Sequence, residues 1–327
     1  MNKHLETPWV EKYRPKTFDE IVSQNIAISN IKKFIKSKDM PHMIFAGPAG
    51  TGKTTTALIM AREMIGKEDL YSSLLELNAS DTVRMEYVRS VIKNFINQNI
   101  STTRNGIKFI LLDEADNIPG QVQQALRRMM EQTANNVKFI LMCNYINRII
   151  DPIISRCAVF RFVNLPKEQV IKRLKFISEN ENLKIPEEKK DLFYKTLYFI
   201  SAGDLRKAIN ALQMSVALDL IQDLNINEIL NISGFITENM VRQLSSAFQE
   251  KNLTRVQEIL LSLTNLDSRN ILRQVAEILV KLKGIGSTNL ARLRAFLGDI
   301  DYRIGQGSDE RLQLMALFAE ILLSMKN

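Results

Sequence analysis

The chain has 327 residues, 45% hydrophobic and 24% charged, the balance of a folded protein large enough for two or three cores, which excludes a disordered polar chain. Its net charge of +8, with an isoelectric point near 9.3, favours a polyanionic partner, although the same charge spread evenly would serve as a solubilising coat. Two cysteines, Cys143 and Cys157, form no Cys-x-x-Cys pair, which argues against a zinc module and for a reducing compartment. With no apolar leader and no apolar run of about eighteen residues, the expectation is a soluble, intracellular protein, cytoplasmic or nuclear, with no membrane partner.

Short apolar runs at 42–46, 74–77, 108–112, 137–143 and 159–163 read as strands and alternate with helical patterns, which predicts a parallel sheet covered on both faces. The first run opens into Gly47-Pro48-Ala49-Gly50-Thr51-Gly52-Lys53-Thr54, followed by Thr55, a complete G-x-x-x-x-G-K-[ST] phosphate loop. The glycines let the backbone curl around phosphate oxygens, Lys53 brings charge to the β- and γ-phosphates, and the Thr54 hydroxyl addresses Mg²⁺. Ala57, Met60, Ala61 and Met64 then recur at i, i+3, i+4 and i+7, the inward stripe of a helix. Strand, loop and helix follow in the order that nucleotide binding requires.

Arg84, Arg89, Lys93 and Arg104 surround a helical pattern whose Val88, Ile92 and Phe95 face inward. That leaves a basic outer face suited to phosphate contacts on DNA, and a merely solvated basic face accounts for it equally well. The run at 108–112 ends in Asp113-Glu114-Ala115-Asp116, which would deliver a carboxylate beside the first strand's loop. Asp113 is the candidate Mg²⁺ ligand, and Glu114 the candidate group that polarises an attacking water. Asn144 ends the run at 137–143 and would reach the same sheet edge, to meet the γ-phosphate or the water. Arg156, in Ser155-Arg156-Cys157, is either a surface arginine or one that stabilises phosphoryl charge in trans.

No proline follows Pro186, so the later chain supports uninterrupted helices. Pro166 opens a charged amphipathic stretch at 167–179, Gly203-Asp204 precedes another at 205–218, and Leu312, Met315, Phe318, Ala319 and Leu322 mark one stripe of a last helix. The predicted organisation is an α/β phosphate-loop domain over 1–164, a small helical lid over 165–232 and an all-α domain over 233–327.

These motifs carry a resemblance. The run Trp9-Val10-Glu11-Lys12-Tyr13-Arg14-Pro15, the phosphate loop, Glu76-Leu77-Asn78-Ala79-Ser80-Asp81, the Asp-Glu-Ala-Asp box, Ala125-Leu126-Arg127-Arg128, Ser155-Arg156-Cys157 and Gly203-Asp204-Leu205-Arg206-Lys207-Ala208 stand in the order found in the small subunits of replication factor C, and the chain resembles that AAA+ clamp-loader family from Trp9 to about Leu218.

The resemblance implies an ATPase using ATP and Mg²⁺, with Val10, Tyr13, Arg14, Pro15, Ile21 and Val22 around adenine, Asn144 as a first sensor, Arg206 as a second sensor on the lid, and Arg156 as a finger for the adjacent subunit's site. It places Gln123 at a coupling glutamine and the last third in a collar that joins five subunits. The implied partners are a large clamp-loader subunit, other small subunits, a sliding clamp and primer-template DNA.

Two departures from the family pattern stand out. Thr82-Val83-Arg84-Met85 replaces the usual Arg-Gly continuation, and Asn117-Ile118-Pro119-Gly120 follows the acidic box. A branch-migration or helicase-loading motor would share the loop, box and arginines, but the Trp9-to-Pro15 run and Ser-Arg-Cys weigh against it. A subunit lending only Arg156 sits poorly with intact Lys53, Asp113 and Glu114, and a small-molecule phosphate-loop kinase leaves the helical last third unexplained.

Overall fold

The computed structural model describes residues 7–37, 39–66, 69–79, 85–98, 106–263, 267–282 and 284–325, with the backbone alone for 85–88 and 281. It divides into two compact units, one of 1–183 and 201–212 and one of 184–200 and 213–327.

The first unit is built on five parallel strands, β1 (His42–Ala46), β2 (Leu74–Asn78), β3 (Lys108–Asp113), β4 (Val137–Cys143) and β5 (Cys157–Arg161), in the order β2-β3-β4-β1-β5. Strand periodicity sends alternate side chains to opposite faces. Met43 and Phe45 of β1, Phe109 and Leu111 of β3 and Ile140 and Met142 of β4 join one apolar cluster, which holds buried residues of α1 (Asn25–Ser37) and α2 (Lys53–Ile65). Ile44, Ile110, Leu112, Phe139 and Leu141 join the other, with residues of α3 (Met85–Asn97) and α4 (Gly120–Thr133). Burial on both faces explains why these strands read as continuous apolar runs. The predicted stripe Ala57, Met60, Ala61 and Met64 is buried, as are Ile92 and Phe95.

One expectation about this sheet is corrected. The last strand spans Cys157–Arg161 and not 159–163. Val163 leaves the ladder because the Gln24 side chain takes over its backbone: Gln24 Nε2 donates to Val163 O at 2.8 Å, and Val163 N donates back to Gln24 Oε1 at 3.2 Å. Asp113 stands as expected, its carboxylate beside the phosphate loop, although β4 lies between β1 and β3. It reaches the phosphate loop by its side chain across that gap.

The chain continues through α5 (Lys167–Asn180), α6 (Glu187–Ser201) and α7 (Leu205–Ala217), the last two each straddling the division between units. In the second unit follow α8 (Ile226–Ile232), α9 (Glu238–Gln249), α10 (Leu253–Ser262), α11 (Ser268–Lys281), α12 (Ser287–Gly305) and α13 (Glu310–Ser324). Besides α8, capped by Asn225, four helices there begin at residues whose side chains cap a free backbone N–H: Thr237 for α9, Asn252 for α10, Asp267 for α11 and Asp309 for α13. Their shared core includes Leu244, Phe248, Val256, Val275, Leu293, Leu317 and Phe318. Buried Gln274 satisfies both polar groups of the Ile236 backbone, at 2.9 Å each.

The stripe expected on the last helix is corrected at its first residue, since Phe318 is buried and Met315 and Leu322 pack against the core as expected. Leu314, Leu317, Phe318 and Ile321 are buried, whereas Leu312 is 65% exposed. The helix is apolar on most sides, so periodicity alone leaves its inward face open. The Asp309 cap, bonded to Leu312 N at 2.7 Å, fixes the helix start and with it which residues turn inward.

His42 pins the sheet of the first unit to α4. Its Nδ1 accepts the N–H of Phe139 at 3.1 Å, which leaves Nε2 to carry the proton and donate to Met130 O at 3.2 Å. Burial, ahead of the other causes, lowers its pKa below the usual 6.5. The unfolded chain then binds the proton at a higher pH than the folded one, so the neutral ring contributes stability above pH about 6.5 that is lost as pH falls toward the folded-state value. Urea midpoints of the chain are expected to drop from pH 7.5 to pH 5, and His42→Gln should flatten that part of the profile. An unchanged profile in the variant would show that His42 is not the titrating group.

Candidate nucleotide-binding and hydrolysis site

The carboxyl ends of β1, β3 and β4 face one crevice, where an open parallel sheet binds ligands. A cleft opens there, within the first unit. It is lined by Val10, Tyr13, Arg14, Pro15, Ile21 and Val22, by Ala49, Gly50, Thr51, Gly52, Lys53, Thr54 and Thr55, and by Asp113, Glu114, Asn144 and Arg206. Gly47 and Pro48 form the base of the loop, and their carbonyls face the Lys53 ammonium. Three acceptors hold that ammonium: Gly47 O at 2.7 Å, Pro48 O at 2.8 Å and Asn144 Oδ1 at 3.0 Å. Burial lowers the Lys53 pKa, and the Asp113 carboxylate opposes that shift.

The glycines answer specific constraints. A Cβ on Gly47 would lie 2.1 Å from the Phe162 carbonyl oxygen, a backbone atom that β5 holds in place. Gly50 has φ +67, and its carbonyl accepts the N–H of Leu205 at 3.3 Å. The loop therefore touches the start of α7 directly, which brings Arg206 into the cleft.

On the acidic side, Thr54 Oγ1 donates to Asp113 Oδ2 at 2.6 Å, while Asp113 Oδ1 accepts the N–H of Glu114 at 2.9 Å. A hydroxyl and a carboxylate facing one another across the loop make an all-oxygen donor pair. That is the chemistry of a hard divalent cation completed by phosphate oxygens and water. Among the described residues no cluster of three or more His, Cys, Asp or Glu could hold a metal without such help. Glu114 adopts a left-handed backbone, φ 53, and its carboxylate accepts from Asn117 Nδ2 at 3.1 Å. The carboxylate expected to face the γ-phosphate is therefore held by its own box.

Several contributors were not singled out from the sequence. Asp116 is buried, and its Oδ2 accepts the N–H groups of Asn144 at 3.3 Å and Tyr145 at 3.1 Å, fixing the turn that presents Asn144. Its place in the acidic box was the available signal. Glu181 accepts from Lys12 Nζ at 2.6 Å and Tyr13 Oη at 2.5 Å, and Arg173 of α5 donates to Tyr13 O at 2.7 Å. Burial, with the Glu181 bond and charge, pushes the Tyr13 hydroxyl up to about 12. No sequence pattern links positions so far apart. Leu205 and Ile209, one turn apart on α7, add apolar lining beside Arg206.

Arg156 is not among the residues lining the cleft. It lies at the surface, its side chain 37% exposed, and pairs with Glu131 at 2.6 Å. Arg89 and Lys93 are exposed on α3, on the side away from buried Ile92 and Phe95. Arg84 and Arg104 lie outside the described residues. Buried Lys108 donates to the carbonyls of Phe95 and Gln98 and so closes the end of α3.

Gly47→Ala tests the loop geometry. A methyl against an immovable carbonyl must displace either the loop or β5, at a backbone strain cost of about 1–3 kcal/mol. The variant is expected to lose nucleotide binding at least tenfold in a titration with a fluorescent ATP analogue, while Gly298→Ala, with open space around its Cβ and no left-handed backbone, should keep it. Equal affinities for the two variants would mean that the Phe162 carbonyl does not fix the loop.

Comparison with known proteins agrees with this geometry. Residues 43–165 match the AAA family, ATPases associated with various cellular activities, and residues 236–320 match the replication factor C C-terminal domain. The chain is 39% identical to the replication factor C small subunit of Aeropyrum pernix, over 98% of this chain and 97% of that protein. It is 40% identical to the replication factor C small subunit of Saccharolobus solfataricus, over 97% and 95%. Among solved structures it is similar to the Thermotoga maritima RuvB Holliday junction branch migration motor, with a TM-score of 0.55 and 18% identity over 81% of this chain and 91% of that one. That last likeness speaks for the fold alone. No helix among the described residues is long and apolar enough to cross a membrane. With an AAA ATPase domain built around a nucleotide cleft, and near-full-length similarity to these relatives, the chain belongs to the replication factor C small-subunit family.

Proposed function

We propose that this chain is an ATP-driven clamp-loader subunit. It works in a pentameric complex with a large subunit and other small subunits, opens a sliding clamp, and places it on primer-template DNA, with ATP hydrolysis triggering release. In this reading 1–164 is the motor, 165–232 the lid and 233–327 the collar. The observation that carries it is the convergence of Lys53, Thr54, Asp113, Glu114, Asn144 and Arg206 on one cleft, while Arg156 lies outside that cleft.

The residues divide the work by chemistry. Val10, Tyr13, Arg14, Pro15, Ile21 and Val22 close around adenine, and the Glu181 and Arg173 bonds to Tyr13 hold that segment in place. The Gly47–Thr54 backbone with Thr55 surrounds the phosphates. Thr54 and Asp113 hold Mg²⁺, which supplies charge neutralisation when bound. The Lys53 ammonium exchanges the Gly47 and Pro48 carbonyls for phosphate oxygens. Glu114 releases Asn117 to orient water, and Asn144, shared with Lys53, reports the γ-phosphate. Arg206 reaches the phosphates from α7.

Arg156 serves the adjacent subunit's site, so turnover requires assembly; an arginine of this kind supplied in trans is worth about 10³–10⁵ in rate. Arg89 and Lys93 track DNA phosphates without reading bases.

Steady-state ATPase of the chain with its large partner tests the proposal. Sliding clamp and primed DNA together should stimulate more than the sum of each alone, and stimulation by four-way junctions in their place would refute it. Arg156→Ala should leave ATP binding by its own subunit nearly intact while silencing hydrolysis next door; loss of ATP binding by the isolated variant would exclude action in trans. Raising salt from 50 to 200 mM should weaken DNA stimulation more steeply than ATP binding, because phosphate contacts release counterions. Comparable slopes would count against a channel lined by Arg89 and Lys93.

A further inference from the structure

Arg156 is seated from two sides. Its Nη1 donates to the Pro152 carbonyl at 2.7 Å, and its Nη2 lies 2.6 Å from Glu131 Oε1. The same Glu131 oxygen accepts from Arg127 Nε at 3.0 Å, one turn earlier on α4. Two contacts at two different nitrogens fix the plane of the guanidinium as well as its position. The seat itself is anchored near its other end: buried Gln123, also on α4, donates to Ile118 O at 2.8 Å and Arg148 O at 3.0 Å and accepts the N–H of Ile150 at 2.9 Å. Ile150 directly precedes the short helix Asp151–Ile154 that carries Pro152.

We infer that Glu131 is the positioning residue of Arg156, setting where this guanidinium stands when it meets phosphate oxygens of an adjacent subunit. The inference rests on the proposed action of Arg156 in trans. Glu131 brings one negative charge to two arginines, so the trio keeps a net charge of +1 and the finger is held without being neutralised. Its Glu131 partner also remains ionised, its pKa lowered first by the Arg127 hydrogen bond. The exposed pair contributes little to folding, as surface ion pairs do. Its consequence is geometric: an unrestrained arginine spreads over many rotamers, and a displacement of about 1 Å from productive geometry costs about 10² in rate.

Single-turnover ATP hydrolysis by the assembled complex with sliding clamp and primed DNA reads this directly, using Glu131→Ala, Glu131→Gln, Arg156→Ala and the double variant Glu131→Ala with Arg156→Ala. Glu131→Ala should slow hydrolysis about 10- to 100-fold with KM changed less than twofold. Glu131→Gln, which still accepts a hydrogen bond, should restore most of the rate. The double variant should be no slower than Arg156→Ala, because a seat without a finger has nothing to position.

If Glu131→Ala slows the Arg156→Ala background by the same factor as the wild type, Glu131 acts elsewhere and the inference fails. It fails also if both Glu131 variants turn over at the wild-type rate while Arg156→Ala is silent, an outcome that leaves the action of Arg156 in trans standing. Full hydrolysis by Arg156→Ala would instead overturn that underlying reading.

Discussion

The buried Lys53 ammonium is the constraint around which the first unit is arranged. Removing the Lys53 charge from water is costly unless every N–H finds an acceptor, and its three partners come from the loop after β1 and from Asn144 after β4. Lys53 thus joins two adjacent strands by a bond that any phosphate would have to reorganise. On the other side of β4, the β3 carboxylate Asp113 meets Thr54 of the same loop. The site is a set of polar groups that bond one another, and on the proposed reading a nucleotide takes the place of those partners.

Asp116 shows how tightly that set is drawn. Its two bonds to the Asn144 and Tyr145 N–H groups join the acidic box to the turn that carries Asn144 through one oxygen. Glu114, in a left-handed backbone beside it, stores strain at the same place.

Much of this was legible from residue order, for physical reasons. The phosphate loop must be contiguous, since one turn of backbone wraps one phosphate group, so Gly47 to Thr54 announce themselves. Strands buried on both faces read as apolar runs, and four of the five fell in place within a residue. The fifth slipped because Gln24, far away in sequence, captures the Val163 backbone with its side chain. The last helix misled because an apolar surface on most sides has no phase, and Leu312 turned outward. Glu181 and Arg173 were invisible for a third reason: their partners, Lys12 and Tyr13, lie more than a hundred residues away, and single charges carry no spacing signal. Sequence reports contacts that are local or periodic, and it stays silent on those made by one side chain across the fold.

Helix α4 gathers these threads. Its fourteen residues span about 21 Å at the helical rise per residue. Just before its start, Asn117 holds Glu114; within it, Gln123 bonds the turn between Asn144 and the Asp151–Ile154 helix; and near its end Glu131 seats Arg156. Leu126, Met129 and Met130 fasten it to the sheet along its buried side, with the Met130 carbonyl bonded to His42 of β1. A helix so packed moves as one body or not at all, because interior packing resists small independent displacements. On the proposed reading, a shift at the Glu114 end is passed along this helix toward the Arg156 guanidinium. On the proposed reading, the element that senses one subunit's own phosphate is then the element that aims at the next.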